Sequence, residues 1–204
     1  MKKLLILPAA VCMGVCLLLG SCGSTSSVKR ISAEKQRDLS GNWNDRDIRL
    51  VCEKLIAECI DSGSFNQFVR KNGRQPFVKL GTILNLSDEY IDTSIIANKF
   101  RNAIINSGEL KFVANDGEVT ALRKEQLNQA DHVKVGTEAQ VGNETAADFM
   151  LQGTVKTVVD QNGKTIQKTY YVDVQLFSVE SSEIVWSAEN SDIVKLLDRK
   201  SLKL

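Results

Sequence analysis

LQGTVKTVVDQNGKTIQKTYYVDVQLF, residues 151–177, holds two alternating runs around one turn. Leu151, Gly153, Val155, Thr157 and Val159 alternate with Gln152, Thr154, Lys156 and Asp160. Past the turn, Tyr170, Val172, Val174 and Leu176 alternate with Thr169, Tyr171, Asp173 and Gln175. Successive side chains of a strand point to opposite faces, so a period of two marks strands buried on one side. Asn162-Gly163 between the runs is a hairpin signal. A second turn at Ser181-Ser182 leads to Ile184, Trp186 and Ala188, with Trp186 assigned to the sheet core. The C-terminal third therefore reads as an antiparallel meander with one buried face.

Upstream, the apolar period changes to that of helices. Asn44 or Asp45 is placed to cap a helix that continues to about Ile60, because their side chains accept the first free amides. Ile48, Val51, Cys52, Leu55, Cys59 and Ile60 form its apolar face. Gly63 is expected to end it, and residues 64–71 to add a helical turn with Phe65 and Phe68. Residues 77–86, following Pro76, read as a strand. Asp92 caps the next helix, whose face is Ile95, Ile96, Lys99, Phe100, Ala103 and Ile104, and Ser107-Gly108 stops it. Residues 110–113 form a short strand closed by Asn115-Asp116-Gly117. Residues 118–130 are read as a helix with Ala121, Leu122 and Leu127 inward, and 131–146 as mostly loop. Residues 192–204 are expected to form a fraying terminal helical turn. The result is an α+β domain, an α/β sandwich over residues 38–204, in which helices pack on a mixed sheet that ends in the meander.

The chain begins with Lys2 and Lys3, an apolar run from Leu4 to Leu19, and Gly20-Ser21-Cys22. That run falls short of the roughly 20 residues needed to span a bilayer. A basic tip, a short apolar stretch and small residues before a cut mark a removed segment. The stretch resembles a bacterial lipoprotein signal, in which cleavage before the cysteine leaves a lipidated Cys22. Residues 1–21 are then the signal peptide and 22–37 a polar, Ser-rich tether that reaches at most about 50 Å. Gly23 follows Cys22 and no acidic residue precedes Glu34, which by the same resemblance implies the outer membrane and its periplasmic face.

Without residues 1–21, 24 basic side chains face 25 acidic ones, a net charge of −1. No long basic run exists, which argues against nucleic acid as a partner. Cys12 and Cys16 leave with the signal, so Cys52 and Cys59 alone remain beside Cys22. Seven residues apart on one helix, they stand roughly 10 Å apart by rise, beyond the about 7 Å a disulfide tolerates. They read as small buried apolar residues. His132, the only histidine, cannot build a zinc or copper shell with so few partners. It is expected to be solvated in a loop. No glycine-rich phosphate loop joins a strand to a helix, and the carboxylates are scattered. The chain is expected to be neither an enzyme nor the holder of a metal or cofactor.

Asp38-Leu39-Ser40-Gly41-Asn42-Trp43-Asn44-Asp45 is the most distinctive run of the presumed mature chain. Two readings stay open: Trp43 packs just before the helix while Asn44 or Asp45 caps it, or Trp43 and Arg46 face a partner, since Trp and Arg are enriched at binding hot spots. The run, with residues 147–153 and the segments 174–177 and 183–187, resembles the LpoB-like activators of peptidoglycan synthases. It is also similar to the wider group sharing the TolB N-terminal fold, which includes curli-secretion lipoproteins. The first resemblance implies an outer-membrane lipoprotein without an active site of its own, which binds and stimulates a class A penicillin-binding protein. The second implies a structural or secretion-associated lipoprotein. Interface candidates are Trp43, Arg46 and Arg49 at the first helix and His132 beside the 131–146 loop.

Overall fold

The computed structural model describes residues 27–134, 136, 137, 139 and 142–198. The signal run and Cys22 lie outside these. The chain divides into two compact units, Met1–Gln36 and Arg37–Leu204. In the first, Ala33–Lys35 form a single 3-10 turn with no buried residue.

The second unit contains α1 (Asp45–Ile60), α2 (Gly63–Asn72), β1 (Phe77–Asn85), α3 (Thr93–Ser107), β2 (Lys111–Val113), α4 (Asp116–His132), β3 (Phe149–Asn162), β4 (Thr165–Ser178) and β5 (Ile184–Asp198). Its sheet runs β2-β1-β3-β4-β5. β1 is parallel to both β2 and β3, whereas β3, β4 and β5 form the antiparallel meander. The fold is thus the mixed α+β arrangement expected.

The inward residues of the meander make one side of the core. Leu151, Val155, Val172, Val174 and Leu176 are buried with Val78 of β1, against Val51, Leu55 and Ile56 of α1 and Ile96, Phe100 and Ile104 of α3. Trp186 packs at the margin of this core, half-buried. The turn between β3 and β4 sits one residue later than expected. Asn162 pairs with Thr165, so the turn's central residues are Gly163 and Lys164. Gly163 has φ 59°, which matches a type II′ turn with glycine first.

Several expected boundaries move. Gly63 does not close α1; it opens α2, whose Ser62 cap accepts from the Phe65 amide. Asn115-Asp116-Gly117 does not close a strand; Asn115 caps α4 in a reciprocal capping box with Glu118. Ile95 is 45% exposed rather than inward. His132 is the last, exposed residue of α4 rather than a loop residue.

Two expectations fail more substantially. No residue of α4 is buried, and Leu122 and Leu127 are 55% and 59% exposed. β2 has three residues and ends the sheet, and among the described residues none buries Leu122 or Leu127. The helix is tied to its neighbours by Asp116 with Lys79, by Glu118 with Arg101 and by Arg123 with Glu144. Residues 192–198 are also not a helical turn: β5 continues through them, to the pair Thr165↔Asp198. Between Asn190 and Ile193 β5 carries one residue more than β4. Such a bulge shifts the alternation by one, which hides the second half of the strand in a period count. Residues 199–204 lie outside the described part.

Candidate functional site

The run 38–47 folds onto the end of the meander where β4 begins and β5 ends. Asn44 has extended backbone, and its side chain accepts from the amides of Arg46 and Asp47. Asp47 returns the bond by accepting from the Asn44 amide at 3.0 Å, completing a capping box. Asp47 is also the buried partner of Lys195, whose Nζ lies 2.9 Å from Asp47 Oδ2 and 2.6 Å from Asp38 Oδ1. Lys195 and Asp47 side chains are only 7% and 6% exposed. Burial by itself would lower the Lys195 pKa, but its bonds to Asp38 and Asp47 reverse this and raise it. The hydrogen bond from Lys195, then that from Asn44, lowers the Asp38 carboxyl.

Glu89 organises a second cluster beside the first. Its carboxylate accepts from the Trp43 amide at 3.0 Å, from Lys168 Nζ at 2.5 Å and from the Tyr170 hydroxyl at 2.6 Å. Burial would raise the Glu89 pKa, and these three bonds outweigh it and lower it. Lys168 is raised, chiefly by its bond to Glu89. Burial first, and Glu89 second, push the Tyr170 phenol upward. Trp43 stacks on Tyr170 with ring centroids 5.1 Å apart and planes tilted by 50°. Gly41 is buried against Leu197, which a Cβ at position 41 would overlap at 2.2–2.4 Å.

Trp43 therefore takes the packing role of the two readings that were open. Arg46 is exposed and Arg49 half-exposed, three residues apart on α1. Trp43, Arg46 and Arg49 fall together at the start of α1, while His132 ends α4 on a different element. Lys168, Tyr170, Lys195 and Glu89 were not singled out from sequence. A signal for the lysines existed: Lys168 stands two residues from Tyr170 and so points inward, and an inward lysine needs a buried anion.

Cys52 and Cys59 are buried and unpaired, with thiols pushed up to about 12 by burial. Among the described residues, no three His, Cys, Asp or Glu side chains group to hold a metal ion. No helix among them is long and apolar enough to cross a membrane. At the opposite end of the sheet, Arg74 donates two 2.7 Å bonds to Asp148 and lies over the rings of Phe68 and Phe77. These clusters join elements through complementary charge.

The sequence profile described as peptidoglycan-synthase activator LpoB matches residues 47–191. Solved structures similar to this chain include the LpoB C-terminal domain from Salmonella enterica, at 17% identity and a TM-score of 0.36, covering 67% of this chain and 93% of that one. The E. coli LpoB C-terminal domain is 16% identical with a TM-score of 0.36, covering 67% and 97%. An NMR structure of E. coli LpoB is 14% identical with a TM-score of 0.43, covering 88% and 87%. No curated protein matches the chain. With the profile spanning α1 through the first half of β5, the chain belongs to the LpoB family of peptidoglycan-synthase activators.

Proposed function

We propose that this protein is a lipoprotein, held by Cys22 in the outer membrane on its periplasmic face, that binds a class A penicillin-binding protein and stimulates peptidoglycan synthesis. Family membership over residues 47–191 carries the activator role. The run from Lys2 to Cys22 supports the anchor. The mechanism is a population shift: an activator that binds the active conformation of its synthase more tightly raises the share of that conformation. The chain needs no catalytic group for this. The exposed part of α1 with Arg46 and Arg49, the edge of Trp43, and the region after His132 are the contact surfaces we assign to the partner.

The test is capture of purified class A penicillin-binding proteins by the mature chain, with glycan polymerisation followed in the same mixture. Binding with a rate increase is expected. Neither binding nor a rate change, for a folded preparation, rejects the proposal.

A further inference from the structure

Residues 38–42 cross the end of β4 and β5 as a strap, and the core groups that hold it have second partners independent of it. Lys195 meets Asp38 of the strap and also Asp47 of α1, the latter at 2.9 Å. The Tyr170 hydroxyl lies 3.1 Å from the Gly41 carbonyl oxygen and 2.6 Å from Glu89. Its one proton goes to the shorter, charge-assisted contact with the carboxylate. Asn44 donates to Asp38, but its carbonyl oxygen serves the helix cap. Among the described residues, lifting the strap therefore takes the last partner from no buried charge and from no buried side-chain donor. The strap is itself mostly in water. Leu39 is 98% exposed, Asp38, Ser40 and Asn42 are exposed, and Gly41 alone is buried.

We propose that residues 38–42 form a releasable strap that sets the reach of the domain from its anchor. Docked, the strap holds the chain to the domain from Asp38 onward. Released, it adds five residues, about 17 Å when extended, while Lys195 keeps Asp47 and Tyr170 keeps Glu89. A partner that engages the domain beyond the docked reach selects the released state, because the equilibrium moves toward the state that relieves the tether. The inference rests on anchoring at Cys22 for its function, though release itself does not.

Two variants of the full chain decide it. Leu197 Cγ lies 2.4 Å from the place of a Cβ on residue 41. It is one bond, about 1.5 Å, from its own Cβ, so the Cβ atoms of Gly41→Cys and Leu197→Cys lie within the about 4.5 Å upper limit of a disulfide. In cells lacking the native copy, this locked strap is expected to lower incorporation of labelled cell-wall precursor at least threefold against either single cysteine. Five Gly/Ser residues inserted between Gly23 and Arg37 should restore it. Wild-type incorporation by the oxidised variant, or no rescue by the insertion, overturns the reach-setting role. In the second variant, Asp38→Ala with Gly41→Val opens the strap. Purified, it should be cut at the strap at least tenfold faster than wild type while keeping the near-ultraviolet circular dichroism of the native domain. Loss of that signal together with strap protection shows the strap to be part of the cooperative core and overturns release. Palmitate labelling of Cys22→Ser reports on the anchor separately, so failure of anchoring is not confused with failure of the strap.

Discussion

Lys195 shows how one side chain ties distant segments together. It sits inward on β5, 7% exposed, and finds one carboxylate at the first turn of α1 and another in residue 38. Removing one partner of a buried pair costs about 3–5 kcal/mol because the other charge stays buried. Lys195→Met should therefore lower the melting temperature by about 10 °C for a domain of this size, as read by calorimetry. Asp38→Asn should cost about 1 kcal/mol or less, since Asp38 is half in water and Lys195 keeps Asp47. Equal losses for the two would contradict this division of roles. The same clusters fix the pH response. Asp38, Glu89 and Asp148 have carboxyls held below their ordinary values of 3.8–4.5. Their stabilisation is complete above those values and is lost as pH falls through the lowered ones. Lys168 and Lys195 are raised above 10.5, so their share is complete below that value and lost as pH climbs through the raised ones. Urea midpoints should be flat from about pH 5 to 8 and fall on both sides, on the alkaline side first as the Cys52 and Cys59 thiols ionise in the unfolded chain from about 9 and then as the lysines titrate; an acid-side fall that already begins at neutral pH would exclude the carboxylate pairs as the titrating groups.

Among the elements, α3 and α4 make the clearest contrast. Both carry apolar residues at helical spacing, yet Phe100 of α3 is fully buried while Leu122 and Leu127 of α4 stay exposed. Phe100→Ala should destabilise by about 3–5 kcal/mol through the cavity it leaves. Leu122→Ser with Leu127→Ser should change stability by less than about 0.5 kcal/mol per site, and a chemical-denaturation series would show a large loss there if α4 packed in solution. Periodicity reports only that a helix has an apolar side. Whether a layer exists to receive that side depends on where the sheet ends, here at the three residues of β2. β5 teaches the related lesson for strands. A register shift beside Trp186 already leaves Ile184 53% exposed rather than inward, and the bulge near Asn190–Ile193 shifts the phase again, so the pattern legible at Trp186 and Ala188 stops matching before Lys195. Helix starts were more legible, because caps are local: Asn44 and Asp92 cap helices as expected, whereas the Asn115 cap hid in what reads as a turn.

For the whole molecule, topology and address come from different parts of the chain. The proposed anchor makes a direct forecast: Cys22→Ser should move the protein from the membrane to the soluble fraction on fractionation, with an unchanged melting temperature for the domain. Retention in the membrane would assign the anchor elsewhere. Native Cys52 and Cys59 should resist thiol reagents until unfolding, since both are buried and their thiolates are disfavoured at neutral pH. By itself, the sequence determined the meander, the capped helices, the inert cysteine pair and the family, because alternation, capping and a shared pattern are properties of residues near one another in the chain. Tertiary structure alone decided that α4 leaves Leu122 and Leu127 exposed, that β5 runs on to Asp198, and that Glu89, Lys168, Tyr170 and Lys195 gather beneath residues 38–44. Apart from the neighbours Lys168 and Tyr170, those groups lie tens of residues apart in sequence. Charges buried together must be matched in space, and only the folded chain brings the partners within hydrogen-bonding distance.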